Sequence, residues 1–252
     1  MAAPTLRVIG HLRSCLREKF AAPRQPLLAP GATASLTLKD EFLPDHSLVG
    51  LDGFSHVWLF SYFHLNTNKK FLPKVRPPRL KGAAIGLFAS RSPHRPSPLG
   101  LSLARLVRVE GRTLHLAGID LVDGTPILDV KPYIPEWDSV PHADAGWVKD
   151  APFPTLKVKL SKQALADVKA AEKRLKLTGL AALLKDLLTQ DPRNPRDKSQ
   201  NVDGLELGFF LHDFDAHFSV SKGVATVLKL VTGTSMHKKT PVAPPRRVGL
   251  AE

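Results

Sequence analysis

Apolar and polar residues alternate in short stretches over the first 140 residues, which is the pattern of half-buried β-strands. Strand-like segments cover residues 57–65, 101–109, 113–121 and 127–131. A hairpin is predicted at Glu110-Gly111, and a turn is predicted at Asp123-Gly124-Thr125-Pro126. Short strands with closely spaced turns favour an antiparallel barrel or sandwich. No long helices alternate with these strands, so a doubly wound parallel sheet is disfavoured.

The apolar period becomes helical after a proline-containing connector at residues 141–154. One helix is predicted to begin after Ser161, a good N-cap residue. A second helix is predicted from apolar positions spaced i, i+3, i+4, i+7 and i+8, and it should end near Gln190 because Pro192 follows. Two strands, at 205–214 and 216–231, complete the pattern. We therefore predict a mainly β protein with a barrel-like domain (1–140), a small α+β domain (155–235) and a basic tail (236–252).

The chain carries a formal net charge of +13, which favours nucleic acid or anionic membrane as a partner. A basic amphipathic helix, a lipidation motif and an apolar run of roughly 20 residues are all absent from the sequence. RNA or DNA is therefore the preferred partner, no membrane association is expected, and a merely soluble basic surface stays open. The single cysteine, Cys15, excludes an internal disulfide and disfavours a cysteine-based metal site. A cytoplasmic location is expected, and a mitochondrial presequence stays open because the N-terminus is basic and poor in acids.

A segment rich in arginine and proline lies between Val75 and Ser102. Its four arginines are Arg76, Arg79, Arg91 and Arg95. The planar guanidinium matches phosphate geometry, and prolines stiffen the backbone that presents it. The segment is typical of a site for a polyanion or for an adenine-bearing cofactor.

Motifs in four places carry more polar information than folding requires. They are PRQP (23–26), GFSHVWLF (53–60) leading to His64, VRPPRL (75–80) with FASRSPHRP (88–96) and PLGLS (98–102), and DLVDGTPILDVKPYIPEWDS (120–139). In this order they resemble the TrmO (YaeB-like) family of tRNA methyltransferases, densely over about residues 7–140 and more weakly beyond. Two departures stand out. Ser97 replaces the family's common asparagine, and Asn194-Pro195-Arg196 follows Asp191-Pro192-Arg193 where the family has Pro-Ala-Tyr.

The resemblance implies methyl transfer from S-adenosylmethionine to N6 of threonylcarbamoyladenosine, next to the tRNA anticodon. It also implies a β-barrel cofactor domain, a homodimer with cofactor sites near the subunit interface, and no metal. The cofactor-binding residues that it implies are Pro23, Arg24, Gln25, His64, Leu65, Arg91, Leu99, Asp123, Gly124 and Thr125.

The roles of base and of RNA contact are less defined. His94 and Asp129 are candidates for a catalytic base that assists the delocalised N6 lone pair. Cations predicted to contact tRNA phosphates are Lys69, Lys70, Lys74, Arg76, Arg79 and Arg95. Two alternatives stay open. The first is a non-catalytic RNA-binding barrel, and the second is a methyltransferase that acts on another RNA.

Overall fold

The first 140 residues form a closed β-barrel with one small ribbon outside it. The computed structural model describes residues 5–67, 70–153, 155–193 and 204–233. Its strands in this part are β1 (Gly10–Ser14), β2 (Thr33–Leu38), β3 (His56–Tyr62), β4 (Lys74–Val75), β5 (Ile85–Gly86), β6 (Leu99–Glu110), β7 (Thr113–Ala117) and β8 (Pro126–Pro132). β4 pairs only with β5, and the other six close in the order β1-β2-β7-β6-β3-β8, with every pairing antiparallel. The predicted barrel is confirmed.

Alternation along each strand sends every second side chain into the barrel. On β3 the inward residues are Val57, Leu59 and Ser61, all fully buried. The β6–β7 hairpin turns at Gly111, which has φ +52°, as the Glu110-Gly111 pair predicted. A register shift between β3 and β8 sets Val130 opposite Leu59 and Ile127 opposite Ser61.

The C-terminal region is a four-stranded sheet covered by two helices. Its elements are β9 (Lys157–Leu160), α3 (Lys162–Leu175), α4 (Leu180–Thr189), β10 (Glu206–Leu211), β11 (Phe214–Ser221) and β12 (Val224–Thr232), where α1 (Pro44–Ser47) and α2 (Pro135–Asp138) are single turns earlier in the chain. The sheet order is β10-β11-β12-β9, with β9 parallel to β12. Ser161 caps α3 as predicted, since its Oγ accepts a hydrogen bond from the Ala164 N–H.

One strand prediction in this region was wrong, and one strand was not predicted. The segment 216–231 is a hairpin and not one strand, because Lys222 and Gly223 adopt positive φ and reverse the chain. Alternation alone does not reveal a two-residue turn that contains only one glycine. β9 was also missed, since four residues between the connector and α3 carry too short a pattern.

The two regions share one hydrophobic core. Leu16, just after β1, forms an isolated antiparallel bridge with Leu211 of β10. The His212 N–H also donates to the Cys15 carbonyl at 2.8 Å. Leu183 of α4 lies against Gly31, since a Cβ built on that glycine would be 3.5 Å from the Leu183 Cβ. The C-terminal region therefore rests on the loop that joins β1 to β2.

Candidate active site

Three loops leave the same mouth of the barrel, and they carry the motifs picked out in the sequence. One joins β1 to β2 (15–32), one joins β3 to β6 (63–98), and one joins β7 to β8 (118–125). Neighbouring strands are antiparallel, so the ends joined by these three loops lie at one rim. The cofactor-binding residues predicted from the resemblance all lie on these loops, except Leu99, which opens β6 at the same rim.

The turn before β8 is fixed by bonds to β1. The Asp123 carboxylate accepts a hydrogen bond from the Ser14 N–H at 2.8 Å and forms an ion pair with Arg17. The Gly124 N–H donates to the Leu12 carbonyl at 2.8 Å, and the Thr125 hydroxyl donates to the Val122 carbonyl at 2.6 Å. Hydrogen bonds therefore hold both the Asp123 carboxylate and the backbone of its turn in place.

His64 faces this turn from the β3–β6 loop. Gly124 lies beside the His64 ring, since a Cβ built on it would be 4.0 Å from His64 Nε2. Gly124 has φ +78°, a conformation that favours glycine. Burial lowers the pKa of His64, and the neighbouring His11 and Lys19 lower it further. The ring is therefore neutral at pH 7. Its Nε2 is buried and has no hydrogen-bond partner among the described residues. The adjoining Leu65 carbonyl accepts from Lys19 Nζ.

A second group links the PRQP motif to the arginine-rich loop. Arg91 Nη1 donates to Gln25 Oε1 at 2.7 Å, and Gln25 Nε2 donates to the Arg24 carbonyl at 2.7 Å. Burial lowers the pKa of Arg24, while the charge of Asp191 opposes that shift. Side chains from two distant motifs thus form one hydrogen-bonded unit.

Asp120 is the residue here that sequence reasoning missed. Its carboxylate accepts from the Ser102 hydroxyl at 2.6 Å, and burial raises its pKa to about 6 although the Arg91 charge opposes the rise. Ser61 Oγ, also inside the mouth, has no partner among the described side chains and main chain. A Cβ at Gly100 would lie 2.5 Å from that oxygen, so only glycine fits there. Asp120 and Asp123 belong to the same motif, and the sequence alone does not show how the surroundings of the two carboxylates differ.

The C-terminal region contacts the β1–β2 loop at two points, a contribution that sequence reasoning also missed. Arg17, which pairs with Asp123, donates from Nε to the His212 carbonyl at 3.0 Å. The Arg24 N–H donates to Gln190 Oε1 at 3.0 Å. The β1–β2 loop, which carries the PRQP motif and Arg17, is therefore positioned partly by a region outside the barrel.

The two predicted base candidates lie in different places. His94 is exposed on the β3–β6 loop, with Nδ1 3.2 Å from Asn66 Oδ1. Asn66 Nδ2 donates to the Pro93 carbonyl, so Oδ1 faces the imidazole and Nδ1 carries the proton. In the neutral ring this leaves the Nε2 lone pair available. Asp129 pairs across the sheet with Phe60 on the outer wall and forms an ion pair with Lys131 at 3.0 Å. The structure does not bring Asp129 to the mouth.

The predicted RNA contacts also divide. Lys70, Lys74 and Arg76 are exposed on the β3–β6 loop. Arg95 donates to the Ser90 carbonyl, and Arg79 donates to the Val148 and Ala151 carbonyls of the connector. The remaining predicted contact, Lys69, lies outside the described residues, as do the Asn194-Pro195-Arg196 departure and the basic tail.

The Ser97 departure leaves the local backbone contact unchanged. The Ser97 main-chain carbonyl accepts from the Leu99 N–H at 2.7 Å, a bond that any residue type can make.

Metal-ligand clusters, membrane-spanning helices and a reactive thiol are absent from the described part of the chain. Among the residues with described positions, no group of three or more histidine, cysteine, aspartate or glutamate side chains is arranged to hold a metal ion. None of the described helices is both long and apolar enough to cross a bilayer. Burial raises the pKa of Cys15 to about 11, so its thiol stays protonated and unreactive.

Comparisons with known proteins agree on one family. The model of the tRNA-methyltransferase O N-terminal domain matches residues 11–139, and that of the TrmO C-terminal domain matches residues 154–233. The chain is 38% identical to tRNA (adenine(37)-N6)-methyltransferase of Escherichia coli K12, over 84% of this chain and 92% of that protein. It is 46% identical, over 83% of this chain and 90% of the other, to RcsF of Pseudomonas aeruginosa, described as a candidate S-adenosylmethionine-dependent methyltransferase. A crystal structure of TrmO from Pseudomonas aeruginosa superposes with a TM-score of 0.76 at 39% identity, covering 91% of this chain and 98% of that one.

Proposed function

Because the chain belongs to the tRNA-methyltransferase O family, we propose that it transfers a methyl group from S-adenosylmethionine to N6 of adenosine 37 in tRNA, in its threonylcarbamoylated form. The relatives' names support the cofactor and the adenine target. The observation that carries the proposal is the convergence at one barrel mouth of residues from three distant motifs.

The polar groups at the mouth fit a cofactor that carries an adenine, a ribose and an amino acid. His64 Nε2 is a buried polar atom without a partner among the described residues, and such atoms are rare unless a ligand completes them. Gly124 leaves space beside that nitrogen. The fixed Asp123 carboxylate is suited to ribose hydroxyls or to an ammonium group, and Arg91 to a carboxylate.

S-adenosylmethionine, when bound, supplies a methyl group that is already electrophilic because it is attached to a sulfonium. What remains for the chain is orientation, which can contribute about 7–11 kcal/mol in favourable cases. The Arg24-Gln25-Arg91 unit and the Asp123 turn are held by internal hydrogen bonds and suit that task. The Asp120 carboxylate also interacts electrostatically with Arg91, since the Arg91 charge acts to lower the pKa of that carboxyl.

A proton must also leave N6 of the target adenosine. Its lone pair is delocalised into the purine and the carbamoyl group, so an acceptor near the N–H assists attack. His94 is the better placed of the two base candidates, because its Nε2 is free of the Asn66 contact and it lies on the loop that carries Arg91.

Substrate RNA is proposed to lie along the exposed β3–β6 loop. Lys70, Lys74 and Arg76 offer charge to phosphates. Phe88 is 72% exposed and lies under the Arg95 guanidinium, 5.4 Å from Cζ to the ring centroid. An exposed aromatic ring beside an arginine is a platform on which an unstacked anticodon-loop base can lie.

The homodimer is proposed to form through the outer wall of β3 and β6. Leu99 and Leu101 are exposed there, and they pair across the sheet with Tyr62 and Phe60. Exposed neighbouring apolar side chains on a barrel wall mark a contact surface. Leu99 stands at the mouth, so a partner on this wall would approach the cofactor site.

The decisive test uses labelled S-adenosylmethionine with two tRNA samples, one threonylcarbamoylated and one not. Label confined to the modified tRNA is the expected result. Label in both samples would support a different RNA substrate. If calorimetry detected binding of S-adenosylmethionine but neither tRNA sample were methylated, the adenosine 37 assignment would be wrong. If calorimetry detected no binding of S-adenosylmethionine, the result would support the non-catalytic RNA-binding alternative.

A further inference from the structure

The guanidinium of Arg79 is directed at the connector and not at solvent. Its Nη2 donates to the Val148 carbonyl at 2.8 Å, and its Nε donates to the Ala151 carbonyl. Its Cζ lies 4.2 Å from the centroid of the Phe153 ring and 5.8 Å from that of Trp147. The planar fork of this arginine is therefore engaged by carbonyls of the connector, and its guanidinium also lies close to two aromatic rings of residues 147–153, far from Arg79 in sequence.

A second bond ties the same connector to the end of the arginine-rich loop. Trp147 Nε1 donates to the Ala89 carbonyl at 2.8 Å. Ala89 closes a 3-10 turn that begins at the fully buried Leu87, and Arg91 follows two residues later. The connector thus holds the loop at Arg79 and again just before Arg91.

Arg76 provides the contrast. It lies three residues before Arg79 and is separated from it by Pro77 and Pro78. Its side chain is exposed, whereas that of Arg79 is half-buried. Two arginines of one basic segment therefore face different surroundings, which residue type alone does not reveal.

We propose that Arg79, Trp147 and Phe153 form a connector latch, in which Arg79 is a positioning residue that orders the arginine-rich loop for tRNA and does not itself bind phosphate. The role in tRNA binding rests on the proposed function. The latch needs a planar group that stacks on two rings and donates in two directions. Lysine keeps the charge but has neither property.

The test separates a latch from a phosphate contact by the salt dependence of tRNA binding. A side chain that neutralises a phosphate contributes about one unit to the slope of log affinity against log salt. Arg79→Lys, Trp147→Phe and Arg76→Ala would be titrated with tRNA at several salt concentrations. We expect Arg79→Lys and Trp147→Phe to weaken binding several-fold with the wild-type slope, and Arg76→Ala to lower the slope by about one.

The double variant R79K/W147F should be no weaker than the worse single variant, because both substitutions open one latch. Wild-type binding by Arg79→Lys, together with a slope lowered by about one in Arg79→Ala, would overturn the proposal. Both conservative variants keep most of the packing, so wild-type tRNA binding by both of them would overturn the proposal even if Arg79→Ala did not fold.

Hydrogen exchange gives a readout that needs no tRNA. In the latch variants the amides of residues 87–91 should exchange faster than in the wild type, while those of β7 stay unchanged. Unchanged exchange at 87–91 in both conservative variants would also overturn the latch. If the wild-type protein failed to bind any tRNA, the proposed function would fall and hydrogen exchange would still decide the latch.

Discussion

Ionised Asp120 should destabilise the fold, and its replacement by asparagine should stabilise the protein at neutral pH. Burial raises the pKa of this carboxyl from 3.8 to about 6. The native state therefore binds a proton more tightly than the unfolded chain between these two pH values. Stability falls as pH rises across that window and then levels off, because the unfolded state loses its proton first.

The expected magnitude follows from the size of the shift. About two pKa units correspond to about 3 kcal/mol of unfolding free energy at full ionisation. Roughly half of that difference should develop between about pH 5 and pH 8. The asparagine side chain in D120N keeps an oxygen for the Ser102 hydroxyl but carries no charge to desolvate, so this variant should gain stability over the wild type as pH rises.

Urea unfolding of the cofactor-free protein at several pH values measures this directly. D52N is a matched control, because Asp52 is exposed at the opposite mouth of the barrel. If the difference in unfolding free energy between D120N and the wild type did not change with pH, or if D120N were less stable than the wild type at pH 8, the reasoning would be refuted. The same variant should lose methyl transfer, since the charge beside Arg91 is gone. A gain in stability with a loss of activity would indicate that the carboxylate is retained for function.

Three further substitutions test other parts of the site. His64→Ala should weaken S-adenosylmethionine binding roughly 5–30-fold in calorimetry, as expected for about 1–2 kcal/mol from one lost polar contact, and unchanged affinity would remove His64 from the site. Arg17→Ala should lower the melting temperature little, because its ion pair with Asp123 is partly exposed, yet weaken cofactor binding; a large loss of stability with normal affinity would contradict this. Leu101→Glu should convert dimer to monomer in analytical ultracentrifugation, while Val107→Glu, exposed farther along the same strand, should not, and equal behaviour of the two would exclude the proposed face.

Most of the barrel was predictable because its strands follow from local patterns, whereas the residues at its mouth came from the resemblance. Alternation gave four of the six barrel strands (β3, β6, β7 and β8) but not β1 or β2, and the Glu110-Gly111 pair gave the hairpin. The motif at Asp123 gave a turn whose backbone the structure confirms. Gln25 and Arg91 lie in two distant motifs that the resemblance assigns to the same site, and a hydrogen bond joins their side chains.

Residues whose role depends on a distant partner were not predictable. Arg79 and Arg76 belong to the same basic segment, and only the fold brings Trp147 and Phe153 over one of them. Asp129 matched a family motif, yet its pairing with the outward-facing Phe60 places it on the outer wall. Pattern arguments assign residue types to elements, whereas burial and direction arise from the register and from packing between elements.

The contacts between the C-terminal region and the barrel also could not be predicted from local patterns. The helices and sheet of this region were predicted as a small α+β domain separate from the barrel. Instead Gln190 accepts from the Arg24 main chain, and His212 accepts from Arg17, which holds Asp123. Each bond reaches a predicted cofactor residue through at most one intermediate side chain. A change that loosens the C-terminal region should therefore weaken cofactor affinity as well as tRNA affinity, which an independently tethered RNA-binding module would not do.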